Sequence, residues 1–243
     1  MAHMASPHEY REPQDYRETQ EYRAEGSRAI ANPMPLGLLI LAFTTALVGA
    51  SFARFLIPTV FLGTGTIVAP MLIYGGIILV LAGMWAFRRT NSLAATLFSA
   101  YGGFLVAFGV LLLPTIGLIT PFGADIRAFH HTLGLLFICW AICCAVLFAA
   151  SFRTNFVLMT VLGILCLAYL FLAIGEFVNG NGVLLAIGGW LAILCALLAW
   201  YEALATILRV MRSPYQVPTG EEELPFASQQ HQQPGYGGRE PAV

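Results

Sequence analysis

Asparagine side chains stand at three comparable positions in this sequence, each just before a long apolar run. They are Asn32, Asn91 and Asn155. An asparagine at such a position can cap the first free backbone N–H groups of a helix. Amide donors and the positive end of a helix dipole both favour a bound anion. The chemistry that these residues predict is therefore anion binding where the helices begin.

Other chemically capable side chains are few and poorly spaced for catalysis. The cysteines all fall inside apolar runs without a C-x-x-C pair, which is typical of small packing residues. No histidine–carboxylate spacing indicates a nucleophile–base pair or a metal cluster. The chain has no lysine and a net charge of −1, so it lacks the basic patch that nucleic-acid binding needs. We therefore expect that the protein is not an enzyme, that it binds no metal or other cofactor, and that it has no nucleic-acid partner.

Long apolar runs must position these residues, and they indicate a membrane protein. Hydrophobic residues make up 58% of the chain and charged residues 10%, whereas a soluble domain is about 25% charged. Each run can cross a hydrocarbon core of about 30 Å as a helix. The runs cover residues 36–56, 66–87, 93–117, 129–152, 156–177 and 183–208. We therefore predict an all-α membrane protein, embedded in a lipid bilayer, with six transmembrane helices over 32–212.

The positions of the arginines predict the orientation. With the N-terminus inside, seven arginines near the helix ends are cytoplasmic and two, Arg54 and Arg127, are outside. The seven are Arg23, Arg28, Arg88, Arg89, Arg153, Arg209 and Arg212. This positive-inside bias predicts a multi-pass protein of the plasma membrane with both termini in the cytoplasm.

Cytoplasmic tails at 1–31 and 213–243 are predicted to be disordered. The first repeats every six residues, at Tyr10, Tyr16 and Tyr22, and has too little apolar surface to fold alone. The second is rich in glutamine, proline and glycine. The tyrosine-rich tail leaves open an alternative function, that of a non-transporting membrane sensor or scaffold.

The capping asparagines stand at the start of the odd-numbered helices. The chain can therefore be interpreted as three helix hairpins of one design around a central pore. Internal repeats are common in transporters, which build a path at the repeat interface. The competing interpretation is three ordinary caps. Glycines in helices 2 and 3 predict close packing of helices or subunits. They are Gly75, Gly76, Gly83, Gly102, Gly103 and Gly109.

Several motifs in this part of the chain are those of one known family. The first run begins with N-P-M-P-L-G-L at 32–38. Further motifs are Y-G-G at 74–76, L-A-G-M-W at 81–85, N-S at 91–92, F-S-A-Y-G-G-F at 98–104, L-A-I-G at 172–175 and G-G-W at 188–190. In order and spacing they resemble the acetate uptake transporter family, the succinate–acetate permeases, over about residues 32–208.

The resemblance implies a path for acetate and other small monocarboxylates through each subunit of a hexamer. It also implies a hydrophobic constriction, at positions that match Leu41, Tyr101 and Leu165. These residues stand 9, 10 and 10 positions beyond the asparagines, about 15 Å along a helix and half the core thickness. We therefore expect them to meet near the middle of the membrane. Whether succinate passes, and whether passage is passive or proton-coupled, stays open.

A carboxylate in such a path needs donors that replace its water. Besides the asparagines, the candidates are the hydroxyl groups of Thr44, Thr45 and Ser99 and the phenol of Tyr101. The threonine hydroxyls have a competing use in bonds to the preceding helical turn.

The acidic residues of the apolar runs leave further alternatives open. Glu202 stands deep in the last helix, and is interpreted either as a proton-coupling group or as a structural partner of Arg209. We expect Glu176 to be solvated at a helix end, and His130 with His131 to form a wet pair at the outer interface.

Four positions depart from the family pattern. Leu41, Leu79, Ala86 and Leu105 stand where the family has Phe, Gln, Glu and Trp. The lost polar groups at 79 and 86 bear on specificity and proton coupling more than on the fold.

Overall fold

The computed structural model describes residues 31–53, 64–113, 125–211, 213–215 and 217–219, without the side chains of 64–67 and 153. This part of the chain contains six helices that are long and apolar enough to cross a membrane. They are α1 (Met34–Ala53), α2 (Thr64–Arg88), α3 (Ser92–Leu112), α4 (Ile126–Ala150), α5 (Phe156–Phe177) and α6 (Gly182–Val210). The prediction of an all-α, multi-pass membrane protein is confirmed, with helix ends within a few residues of the predicted runs.

Side-chain oxygens cap the helices at the predicted positions. Asn32, Asn91 and Asn155 each accept a backbone N–H of the following first turn at 2.8–3.1 Å. Asp125 and Asn181 do the same for α4 and α6. The predicted caps are confirmed. Because capping is not restricted to the odd-numbered helices, it favours the interpretation of ordinary caps over that of a repeat signal.

The helices are arranged in a ring in which each packs on its neighbour in sequence and α6 returns to α1. The most extensive contacts join α2 to α3, α1 to α6, α5 to α6 and α4 to α5. The backbones of α3 and α4 lie close together at few positions. These two helices contact each other through aromatic rings. The packing does not single out sequential hairpins, so three hairpins around a pore stay a prediction.

Glycines allow α2 and α3 to pack closely. A Cβ on Gly76 would lie 2.6 Å from the carbonyl oxygen of Gly102, and a Cβ on Gly102 would lie 2.5 Å from that of Gly76. A Cβ on Gly109 would lie 2.9 Å from the carbonyl oxygen of Ala69. Side chains cannot occupy these positions without separating the helices. The predicted close packing of helices 2 and 3 is therefore confirmed.

Most of the predicted tails lie outside the described residues, as does Arg54. A short C-terminal piece is described and returns to α6, where the hydroxyl of Tyr201 donates to the carbonyl oxygen of Pro218 at 2.7 Å. The disorder of the tails, their boundaries and their cytoplasmic position stay predictions.

Apolar side chains also cover the outer surface of the ring. On α2 they include Tyr74, Ile77, Leu81, Met84 and Trp85, all about half exposed. An apolar outer surface of this kind is suited to contact with the hydrocarbon core of a bilayer.

Candidate functional site

Leu41, Tyr101 and Leu165 lie near the middle of α1, α3 and α5 and are completely buried. All three belong to one apolar cluster in the interior of the ring. The arrangement is closed, because none of the three side chains is exposed. The residues matched to a constriction thus share one apolar interior.

A chain of hydroxyl groups adjoins these residues. The hydroxyl oxygen of Tyr101 lies 2.8 Å from Oγ1 of Thr45 and 3.2 Å from the hydroxyl oxygen of Tyr169. All three side chains are almost fully buried. The hydroxyl chain therefore links α1, α3 and α5 by polar contacts inside an otherwise apolar bundle.

Tyr169 is a site residue that the sequence reasoning missed. It follows Leu165 by four residues, just as Thr45 follows Leu41. Residues four apart lie on one helical face. That shared spacing is the signal that could have identified Tyr169 beside the constriction.

Aromatic rings fill the interior next to the hydroxyl chain. Phe104 stacks on Trp140 with ring centroids 4.5 Å apart and meets Tyr169 edge-on at 5.5 Å. Phe108 and Phe137 extend this cluster toward the C-terminal end of α3, with centroids 5.5 Å apart. Aromatic pairs in such geometries add to the stability from buried area. The cluster fastens α4 to α3 and α5.

Thr44 and Ser99 do not join the hydroxyl chain. Oγ1 of Thr44 donates to carbonyl groups of the preceding turn at 2.8 and 3.1 Å, the competing use expected for it, and its methyl group packs on Gly75. Oγ of Ser99 is buried against Gly83 and has no hydrogen-bond partner among the described residues. Both side chains thus contact α2.

An open pocket of about 350 Å³ lies at the N-terminal ends of α1 and α5 and the C-terminal end of α6. Its lining consists of Asn32, Met34, Asn155, Glu202, Thr206, Arg209 and Val210. Two of the three predicted asparagines therefore share one site. Asn91 is exposed at the start of α3 and does not belong to this lining.

A buried carboxylate forms one wall of this pocket. Glu202 is 1% exposed, and its Oε1 accepts from Nδ2 of Asn155 at 2.6 Å and from Nη2 of Arg209 at 3.2 Å. The pair with Arg209 corresponds to the structural interpretation of Glu202. Asn155 uses its amide oxygen to cap α5 and its amide nitrogen to bind α6, so it joins the two helices.

The opposite end of the bundle contains a second buried carboxylate, that of Glu176 of α5, which pairs with His130 of α4. Nδ1 of His130 lies 2.6 Å from Oε2 of Glu176, whose side chain is 2% exposed. The expectation that Glu176 is solvated is therefore wrong. In the turn after α5, Gly180 (φ +72°) packs its backbone on the ring of His130, the partner of Glu176. A Cβ at Gly180 would collide with that ring and is disfavoured at this φ.

The positions that depart from the family pattern are all completely buried. Leu41, Leu79, Ala86 and Leu105 each have 0% exposure. Apolar side chains therefore pack where the pattern has larger or polar ones.

Comparison with known proteins gives concordant matches over most of the chain. The model of the GPR1/FUN34/yaaH family matches residues 16–222. Acetate permease A of Emericella nidulans is 30% identical over 207 residues, which cover 79% of this chain and 66% of the relative. The succinate-acetate/proton symporter SatP of Escherichia coli is 30% identical over 197 residues, which cover 81% of this chain and 98% of the relative.

A solved structure has the same fold. The bacterial acetate channel SatP superposes on this chain with a TM-score of 0.64 at 26% identity, covering 78% of this chain and 99% of that one. The superposed part of this chain thus corresponds to nearly the full length of the solved protein.

Proposed function

Because the chain belongs to the GPR1/FUN34/yaaH family, we propose that it is a transmembrane transporter or channel for acetate and other small monocarboxylates. The resemblance to acetate uptake transporters, which the sequence motifs indicated, is confirmed by the family match and by the named relatives. The shared fold with an acetate channel supports the same function.

The observation that carries the proposal is the closed, apolar interior at Leu41, Tyr101 and Leu165. An apolar narrow point in a path can gate by excluding water. A carboxylate that loses its water there needs compensating donors. The hydroxyl groups of Tyr101 and Thr45, 2.8 Å apart, are such donors directly beside the narrow point.

At the predicted cytoplasmic end, the proposed path begins in the pocket of Asn32 and Asn155. The positive dipole ends of α1 and α5 attract an anion to this pocket. Arg209 lies against Glu202 there and balances its charge, so the carboxylate does not repel the substrate strongly.

The six residues predicted as substrate contacts differ in how well their contacts support that role. Asn32, Asn155 and Thr45 adjoin the pocket or the narrow point. The contacts of Asn91 instead support a role in capping α3. Those of Thr44 and Ser99 support a role in packing on α2.

The proposal includes a plasma-membrane position with both termini in the cytoplasm, which the arginine bias supports. It also includes a homohexamer, which the family resemblance implies, and no enzymatic step, cofactor or nucleic-acid partner. A hexamer predicts a protein mass, by light scattering in detergent, of about six times the 26.3 kDa of one chain.

Transport of labelled acetate and propionate into proteoliposomes tests the function. Leu41→Ala and Tyr101→Ala both widen the narrow point. Because an apolar constriction selects by size, we expect each to raise the propionate-to-acetate flux ratio by about three-fold. Leu39→Ala, at an exposed leucine of the same helix, is the matched control and should behave as wild type.

If Leu41→Ala and Tyr101→Ala both leave acetate and propionate fluxes at wild-type values, the proposed path is wrong. The same vesicles, measured with and without a pH gradient and with labelled succinate, distinguish passive passage from proton symport and define which carboxylates pass.

A further inference from the structure

Four hydrogen-bonding side chains from four helices meet in the interior of the bundle. They are Thr45 of α1, Tyr101 of α3, Trp140 of α4 and Tyr169 of α5. Each is more than nine-tenths buried. The Trp140 ring centroid lies 5.7 Å from that of Tyr101 and 6.5 Å from that of Tyr169.

This cluster has more donors than its internal contacts use. The three hydroxyls make two contacts, Thr45–Tyr101 and Tyr101–Tyr169. Each contact uses one O–H, so one O–H of the three is left over in any orientation. Nε1–H of Trp140 is buried and has no partner among the described residues. The cluster therefore holds two unused donors.

Unused buried donors are costly and favour a ligand that accepts hydrogen bonds. An indole N–H can only donate, whereas a hydroxyl can donate or accept. A carboxylate offers two acceptor oxygens and no donor. Its chemistry therefore fits the two unused donors better than that of an ammonium ion, which can only donate.

We propose that Tyr169 and Trp140, together with Tyr101 and Thr45, form a carboxylate-binding subsite beside the apolar narrow point, with Tyr169 and Trp140 as its specificity-determining residues. The inference rests on the proposed function and deepens it.

The position of the subsite suits a permeating anion. Thr45 and Tyr169 follow Leu41 and Leu165 by four residues, about 6 Å along a helix. A carboxylate that crosses the narrow point from the predicted cytoplasmic end meets these donors within about one helical turn. In the closed arrangement the hydroxyls bond to one another, and on binding they turn their protons to the carboxylate. The closed arrangement leaves two donors unused, and the bound carboxylate accepts from both.

A different role for the same contacts predicts the opposite result. If the hydroxyl chain were only a latch that holds α1, α3 and α5 together, loss of one hydroxyl would loosen the bundle and raise the flux.

The test uses substitutions that keep an aromatic ring but remove one donor, Tyr169→Phe and Trp140→Phe. The full chain is reconstituted into proteoliposomes, and labelled acetate flux is measured against acetate concentration. Loss of one donor to an anion should raise the half-saturating acetate concentration about five- to ten-fold, with a smaller change in maximal flux. Tyr74→Phe and Trp200→Phe, at more exposed positions of the outer surface, are the matched controls and should retain the wild-type value.

A second measurement separates binding from stability. Acetate should raise the melting temperature of the detergent-solubilised wild type, because a ligand stabilises the state it binds. The shift should be reduced in Tyr169→Phe and Trp140→Phe at the same acetate concentration. A variant that is merely less stable would retain the full shift, and that result would overturn the subsite.

The outcomes distinguish the two proposals. If wild-type vesicles take up acetate no faster than protein-free vesicles, the proposed function and the subsite both fail. If the wild type transports acetate and both Phe variants match it in half-saturation, only the subsite fails. A raised maximal flux at unchanged half-saturation also overturns the subsite, in favour of the latch.

Discussion

Two adjacent threonines on α1 show how strongly the side-chain environment depends on helical position. Thr45 bonds to Tyr101 across the bundle, whereas Thr44 bonds to carbonyl groups of its own helix. Consecutive residues point about 100° apart around a helix, so neighbours in sequence contact different partners. Only one of the two hydroxyls is therefore available to a substrate in the interior.

This difference predicts the effect of removing each hydroxyl by valine, which keeps the side-chain shape. Thr45→Val should raise the half-saturating acetate concentration about five-fold, because it removes a donor of the proposed subsite. Thr44→Val should leave it within about two-fold, since the lost bond is local and the methyl contact with Gly75 remains. Equal effects of the two substitutions in the proteoliposome assay would contradict this assignment.

The acidic residues show where reasoning from the sequence succeeds and where it fails. The pairing of Glu202 with Arg209 is one of the two interpretations that the sequence leaves open, because the two stand seven residues apart on one helix. The bond between His130 and Glu176 joins residues 46 apart on two helices. No local spacing indicates that contact, so the burial of Glu176 could not be predicted.

At the scale of the helix, the contact between α2 and α3 depends on glycines that share one face of each helix. Gly102 faces the backbone of α2, whereas its neighbour Gly103 has no atom within 4 Å of a Cβ. These neighbours therefore form a matched pair for testing the interface.

Gly102→Ala should destabilise the protein by about 1–3 kcal/mol, because the added methyl group forces α2 and α3 apart. Gly103→Ala should be neutral or stabilising by up to about 1 kcal/mol, since alanine favours the helix over glycine. The melting temperatures of the two variants in detergent check this expectation. An equal change in melting temperature for both variants would contradict this assignment, because only Gly102 lies against the backbone of α2.

Helix number, type and limits were largely predictable because each depends on local chemistry. In lipid, a run of about 20 apolar residues can satisfy its backbone hydrogen bonds within itself only as a helix. Asparagine caps mark where the helices begin. Packing partners were not predictable to the same degree. The extensive contact of α1 with α6 joins the first and last helices, and no sequence spacing indicates it.

At the scale of the whole molecule, the membrane-spanning ring is the part that corresponds to the solved channel. The proposed path and subsite are formed by α1 and α3–α6, together with the capping residues Asn32 and Asn155. Residues 1–30 of the predicted N-terminal tail lie outside the described residues.

Deletion of residues 1–28 separates the transporter from the sensor or scaffold alternative. A transporter whose path lies in the helices should retain acetate flux within about two-fold, because a tail of the predicted disordered kind contributes little to packing. Flux per reconstituted protein is the measurement. Loss of flux in a variant that keeps its mass and melting temperature would instead assign the tail a part in transport.

The sequence by itself determined the membrane environment, the six helices, their caps and the family, because these depend on composition, local spacing and motif order. The helices are apolar on all sides, so no polar face marks the interior. Only the tertiary structure decided that Thr45, Tyr101, Trp140 and Tyr169 meet. Their hydroxyl contacts join residues 56 and 68 positions apart. Such contacts depend on how each helix is rotated, and the packing of its neighbours determines that rotation.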